Sequence, residues 1–317
     1  MNHLTVTALL ALCSLAVVLP ADALVMCVRK KDGSEDIKPG SAIRLRESCR
    51  KAEKQLPISL ESDGTVRITG ANLQIVSGSG ETGGPVNGTG NLIVGYNESS
   101  SGIPESRTGS HNLVVGARHA YPSYGGFVAG IGNNITGPFS SVTGGSSNEA
   151  SGEASWVGGG SANSASGSWA SAAGGFGGYA EGRLSLAAGG RSNRAQARES
   201  TVVGGLENQA EGLRSTTCGG VSNIARGEVE CIRLFPGQGC IAEANGAVVM
   251  GGFRNVADGF AATVVGGAEN TAAARLATVG GGRENTASGD SAAVSGGEGR
   301  SAASASSWAA GSLFEAN

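Results

Sequence analysis

A glycine pair recurs every fifteen residues through the second half of the chain. Taking the first glycine of each pair as an anchor, copies stand at Gly144, Gly159, Gly174, Gly189, Gly204 and Gly219. They resume at Gly251, Gly266, Gly281 and Gly296. Other columns keep the same frame. Six residues after the anchor, all ten copies have Ala. Four after, eight of the ten have Asn, and eight after, seven have Gly. Two before, seven have Val, and four before, every copy has Ser or Ala. A unit this short has no core of its own. It becomes stable only by stacking on its neighbours, which makes the chain a solenoid.

Fifteen residues are too few for a helical hairpin or a propeller blade, and two or three glycines per copy oppose helix. The period therefore predicts an all-β, parallel β-solenoid in which each copy makes one coil. In "STVVGGLENQAEGLR" (200–214), "STVV" is the strand. Its sides alternate, so Ser200 and Val202 face one way and Thr201 and Val203 the other. Both faces carry small or apolar residues, so both are expected to be covered, one inside the coil and one against a partner surface. Gly204 and Gly205 make the first corner. Asn208, tolerant of left-handed backbone, is assigned the second corner. Ala210 fills a narrow inward spot, and Gly212 closes the coil. Some thirteen coils at the spacing between strands, about 4.8 Å, give a rod of roughly 60 Å.

Composition agrees with a thin, ordered rod. Of 317 residues 55 are Gly, aromatics are 4%, charged residues 15%, and the net charge is −3. This balance gives no electrostatic case for nucleic acid or an anionic membrane. Catalysis is disfavoured because Asp and Glu are scattered over variable slots such as Glu207 and Glu269. No acid cluster is evident. The glycine pairs lack the following Lys-Ser/Thr of a phosphate loop. No cofactor is expected, and without CxxC spacing a zinc site is not. An ice-binding rod needs a flat Thr-x-Thr ladder. Thr201, Thr216, Thr263 and Thr278 share a slot, but Trp156 and Leu186 interrupt it.

The chain opens on "LTVTALLALCSLAVVLP" followed by "ADA", a secretory signal over residues 1–23 that ends at Ala23. No membrane-spanning segment is expected after its cleavage. Export permits disulfides. Proximity pairs Cys27 with Cys49 and Cys231 with Cys240, leaving Cys218 odd. Cys218 occupies a strand slot, which predicts a buried thiol acting as a small hydrophobe. An interchain bond is the alternative. Residues 24–60 form a small unit stapled by Cys27–Cys49. Within it "VMCVRKKDGSEDI" reads as strand, Asp-Gly turn, strand, and "RESCRKAEKQL" (46–56) as a solvated helix. Residues 61–125 hold irregular first coils and a cap, including "GTGNLIVGYNE" and "TGSHNLVVGARH". Residues 126–317 are the regular solenoid.

One stretch breaks the period. Anchors jump by 32 from Gly219 to Gly251, which is two repeats plus two residues. Residues 228–245 form an inserted loop with Arg233, Leu234 and Phe235 near its tip. Insertions in repeat proteins often carry binding. These three residues are the candidate partner-binding loop; a hairpin tolerated only because it projects outward is the alternative.

The phrase "SxVxGGxxNxAxG" resembles the head repeats of trimeric autotransporter adhesins over about residues 88–317. That resemblance implies a left-handed β-roll, three chains wound into one homotrimer, and an adhesive role at a cell surface toward an extracellular protein or glycan. The family's head repeat is nearer fourteen residues, and neither stalk heptads nor anchor strands are recognisable here. The functional expectation is a secreted or surface-displayed adhesive rod. A purely structural extracellular fibre or spacer is the alternative.

Overall fold

The computed structural model describes residues 24–31, 44–46, 48–99, 106–227, 230–232, 241–243 and 246–311. The expected signal segment, residues 1–23, lies outside them. Two compact units divide the chain, the first ending at Gln74 and the second beginning at Ile75.

The first unit is a four-stranded antiparallel sheet in the order β2-β1-β3-β4. Its strands are β1 (Leu24–Arg29), β2 (Arg44–Arg46), β3 (Glu53–Leu60) and β4 (Val66–Ile68). Cys27 and Cys49 form the expected disulfide, with a Cα–Cα separation of 5.5 Å. Cys27 is fully buried. The helix expected over 46–56 is corrected: Glu53 onward is strand, paired with β1 from Arg29↔Glu53 to Leu24↔Leu60. Helix propensity is a weak prior, and tertiary pairing overrides it here. The turn and second strand expected after "VMCVRKK" fall outside the described residues.

The second unit is an all-β parallel solenoid. Each regular coil contributes two short strands. Residues three and two before the anchor, such as Trp156–Val157, build a 14-stranded sheet from Leu92 to Ala309. Residues five and six after it, such as Ser164–Ala165, build an 11-stranded sheet. Single bridges two after the anchor, Ser146↔Ser161 for example, add a third line of contact. Fourteen strands span roughly 60 Å at the usual spacing. The sequence motifs "NLIVG" and "NLVVG" join the first sheet in register, Leu92↔Leu113 and then Leu113↔Phe127. Those steps are 21 and 14 residues (113 − 92 and 127 − 113). A second 14-residue step follows, Phe127↔Ser141. The period settles to fifteen from Ser141↔Trp156.

The strand alternation falls as the sequence predicts. Ser200 and Val202 are buried, Thr201 is half-buried, and Val203 is exposed. Inside, the Val column packs with the Ala column, Val142 with Ala150 and onward in common clusters. Ala210 and its counterparts from Ala150 to Ala287 are 0% exposed. Each fully buried Val is worth about 1.5–3 kcal/mol. The core is thus one small inward side chain per coil, branched in all the regular coils but those of Ala172 and Ala187.

Two corner assignments change. The left-handed residue is not Asn208 but the one before it, Glu207, at φ +56°, as are Ser147 and Ala162 in other coils. Asn208 itself is fully buried. Its Nδ2 donates to the carbonyls of Gly204 (3.1 Å) and Gly220 (3.0 Å), and its Oδ1 accepts the N–H of Asn223 at 3.0 Å. The closing left-handed residue is Arg214 at φ +57°, not Gly212. Gly212 is needed because a Cβ there would overlap the carbonyl of Arg226 in the next coil.

The interruption is also corrected. Thr216 pairs directly with Val248, and Ala225 with Ala257. Coils 219 and 251 are therefore adjacent, and the 32-residue step is one coil with 17 extra residues (32 − 15). Two coils plus two residues would have required an additional strand pair between them.

Candidate functional site

The asparagine columns form a ladder inside the rod. Asn148 donates its N–H to Asn133 Oδ1, and Asn163 to Asn148 Oδ1. After a gap at Gly178 the ladder resumes at Asn193 and continues through Asn208, Asn223, Asn255, Asn270 and Asn285. It crosses the insertion unbroken, Asn255 N–H to Asn223 Oδ1 at 2.9 Å. Each amide is buried with its polar atoms satisfied, which is the condition for such a column to stabilise. The fixed Asn, Ala and Val letters are therefore interior and the fixed glycines stand at the corner, so any function belongs to the outward slots.

Those slots divide into two kinds. The outer side of the 14-stranded sheet presents residues three and one before the anchor. They run Trp156, Leu186, Thr201, Val203, Thr216, Cys218, Val248, Met250, Thr263 and Val265. No charged side chain of residues 140–227 and 246–311 falls in these slots. Val203, Met250 and Val265 are 42–49% exposed, and Trp308 is 69% exposed. Cys218 lies in the same column and is exposed, which corrects the expected buried thiol: its slot points out of the coil. An uncharged, partly apolar strip this long is unusual on a free surface.

The remaining outward slots carry the charges, and in-register stacking sets like slots one above another. Glu199 pairs with Arg214 at 2.8 Å, and Arg226 bridges Glu211 (2.9 Å) and Asp258 (3.7 Å). The hydrogen bond from Arg214 holds the Glu199 carboxyl below the usual carboxylate range. Arg194 pairs with Glu181 at 2.7 Å, which raises its already high pKa, and lies 5.7 Å from the Tyr179 ring. Arg183 covers Trp169 at 4.6 Å. A shallow groove between two such columns is lined by Tyr179, Ser192, Arg194, Glu207, Gln209, Ser222 and Ile224. Such exposed pairs contribute little stability singly, about 0–1 kcal/mol.

The inserted segment begins and ends in an antiparallel hairpin, Glu230–Ile232 with Ile241–Glu243. Cys231 stands opposite Ala242. Arg233, Leu234, Phe235 and Cys240 lie outside the described residues, and so does the Cys231–Cys240 pairing. Among the described residues no group of three or more His, Cys, Asp or Glu side chains is placed to hold a metal. Among them, too, no helix is long and apolar enough to cross a membrane. One feature escaped the sequence reading: the ladder, for which the Asn period was the only signal. The small and apolar outward face of the strand was expected, and its lack of charge is visible as columns without Asp, Glu, Lys or Arg. No protein-family model matches the chain, and no curated protein matches it.

Proposed function

We propose that the chain is a secreted or surface-displayed rod that works by adhesion rather than catalysis, as a left-handed homotrimeric β-roll of the autotransporter-head type. The observation that carries this reading is the uncharged strip along the 14-stranded sheet. Burying an apolar, charge-free face against identical faces removes it from water without stranding a charge. The two 14-residue steps match the head-repeat period. The Cys27–Cys49 disulfide fits an oxidising compartment. In this reading the ligand is an extracellular protein or glycan, contacted by Arg233, Leu234 and Phe235 of the insertion.

Light scattering tests the assembly: the expected mass is three chains, and a single-chain mass overturns it. Val203→Glu combined with Val265→Glu should reduce that mass to one chain. Binding to immobilised matrix proteins and glycans tests adhesion, with alanine at 233–235 expected to weaken it. A trimer that binds none of these favours the second reading, a structural fibre. That reading is supported by the fact that every fixed position of the repeat is spent on building the coil.

A further inference from the structure

The asparagine ladder starts on a histidine. In the regular coils the Asn stands three residues after the second glycine, as Asn148 does after Gly145. The same count from Gly130 gives Asn133, and from Gly116 gives His119. His119 is 1% exposed and reproduces the amide's bonds. Its Nδ1 accepts the N–H of Asn133 at 3.2 Å, as Asn133 Oδ1 accepts that of Asn148. Its Nε2 donates to the carbonyl four residues back, Val115, at 3.1 Å, as Asn148 Nδ2 does to Gly144. This pattern requires the neutral tautomer with the proton on Nε2. The other histidine of the unit does a related job. His111 Nε2 accepts the N–H of Ser77 at 3.0 Å, and its Nδ1 faces the carbonyl of Thr82 at 3.3 Å.

An imidazolium has no acceptor, so protonation of His119 turns the hydrogen bond from the Asn133 N–H into a donor facing a donor. An asparagine amide has no such state at ordinary pH. The chain's three histidines are His3, His111 and His119, so nothing from Asn133 onward can respond this way. We propose that the coils around His119, residues 109–133, form an acid-releasable segment at the start of the solenoid, latched by the neutral imidazole of His119, while the Asn-laddered coils beyond stay closed.

Around His119 the backbone carbonyl of Val115 favours the charged form, but burial outweighs it. Burial is the main cause that pushes its pKa below the ordinary value, and the charge of Arg107 adds to it. Arg107 Nε donates to the His119 carbonyl at 3.2 Å. The neighbouring Arg118 and Glu98 side chains are exposed. Tyr121 is engaged with Asn97 through its hydroxyl. A pKa lowered on folding means the opened state takes up the proton first. The contribution of His119 is complete above about pH 6.5 and is lost as pH falls below it, by up to about tenfold per pH unit in the opening equilibrium.

Hydrogen–deuterium exchange of the full chain at about pH 7.5 and about pH 5, corrected for intrinsic rates, reads this directly. Protection in peptides covering 109–133 should fall on acidification, by up to about thirtyfold, while that of 148–227 and 246–309 holds. H119N, which supplies the amide of the regular coils, should keep protection at both pH values. A uniform pH response along the rod, or none, overturns the proposal. So does an undiminished acid loss in H119N. Should H119N fail to fold, the wild-type profile decides alone.

Discussion

The coils on either side of the insertion share a backbone and differ most consistently in one buried column. Four residues before the anchor, the earlier coils have Ser140, Ser155, Ser185, Ser200 and Ser215, with Ala170 the exception. The later ones have Ala247, Ala262, Ala277 and Ala292 throughout. All are buried. Ser140 and Ser200 turn their hydroxyls to carbonyls three residues back, each at 2.7 Å. The hydroxyls of Ser155, Ser185 and Ser215 reach no partner. The apolar core also divides here, since Thr217 replaces Val and points its hydroxyl to the Gln209 carbonyl at 3.0 Å. The slot therefore selects for size alone. Polarity is tolerated before the insertion and absent after it.

The largest expected effect is one the two halves share. Gly205 (φ +82°) and Gly267 (φ +84°) each lie against the carbonyl of the next coil's glycine, with no room for a Cβ. Alanine at either should cost about 3 kcal/mol or more in urea denaturation. A loss confined to one half would mean the halves do not share a backbone requirement. The next effect should separate them by sign. Ser185→Ala removes a buried hydroxyl without a partner and should stabilise by about 1 kcal/mol, whereas Ala262→Ser should destabilise by about 1–3 kcal/mol. Equal signs would break the comparison. The smallest concerns the boundary itself. Removing residues 229–245 restores a fifteen-residue coil and should shift stability by less than about 1 kcal/mol, because loop length enters only logarithmically. A larger loss in thermal melting would show that the insertion props the coils it separates.

The coil, its strand slots and its Ala column were legible because each follows from period and size. The Asn column was legible as a position but not as a role. Asn suits a corner and a buried ladder equally well, and only the register of Asn208 over Asn223 decides between them. The corner residues Glu207 and Arg214 carry no mark, since the turn imposes left-handed backbone on whatever stands there. The 32-residue jump misled because it is close to twice fifteen, and only the pairing Thr216↔Val248 reveals one long coil. Residues 46–56 read as helix locally, and from Glu53 onward they become strand through pairing with β1. The charge-free strip was written in the columns, whereas its occupant is not written in one chain.

The central claim is that the fixed letters hold the coil from inside and the variable ones do not. Asn208 and Gln209 are neighbours on the two sides of that division: the first is buried in the ladder, the second lines the outer groove. Equilibrium urea denaturation of Asn208→Ala and Gln209→Ala tests it most directly. Truncating Asn208 leaves buried groups unpaired at about 1–3 kcal/mol each, so a loss of about 3 kcal/mol or more is expected. Gln209→Ala should stay within about 0.5 kcal/mol of wild type. Equal losses at the two positions, or the larger one at Gln209, would contradict the claim.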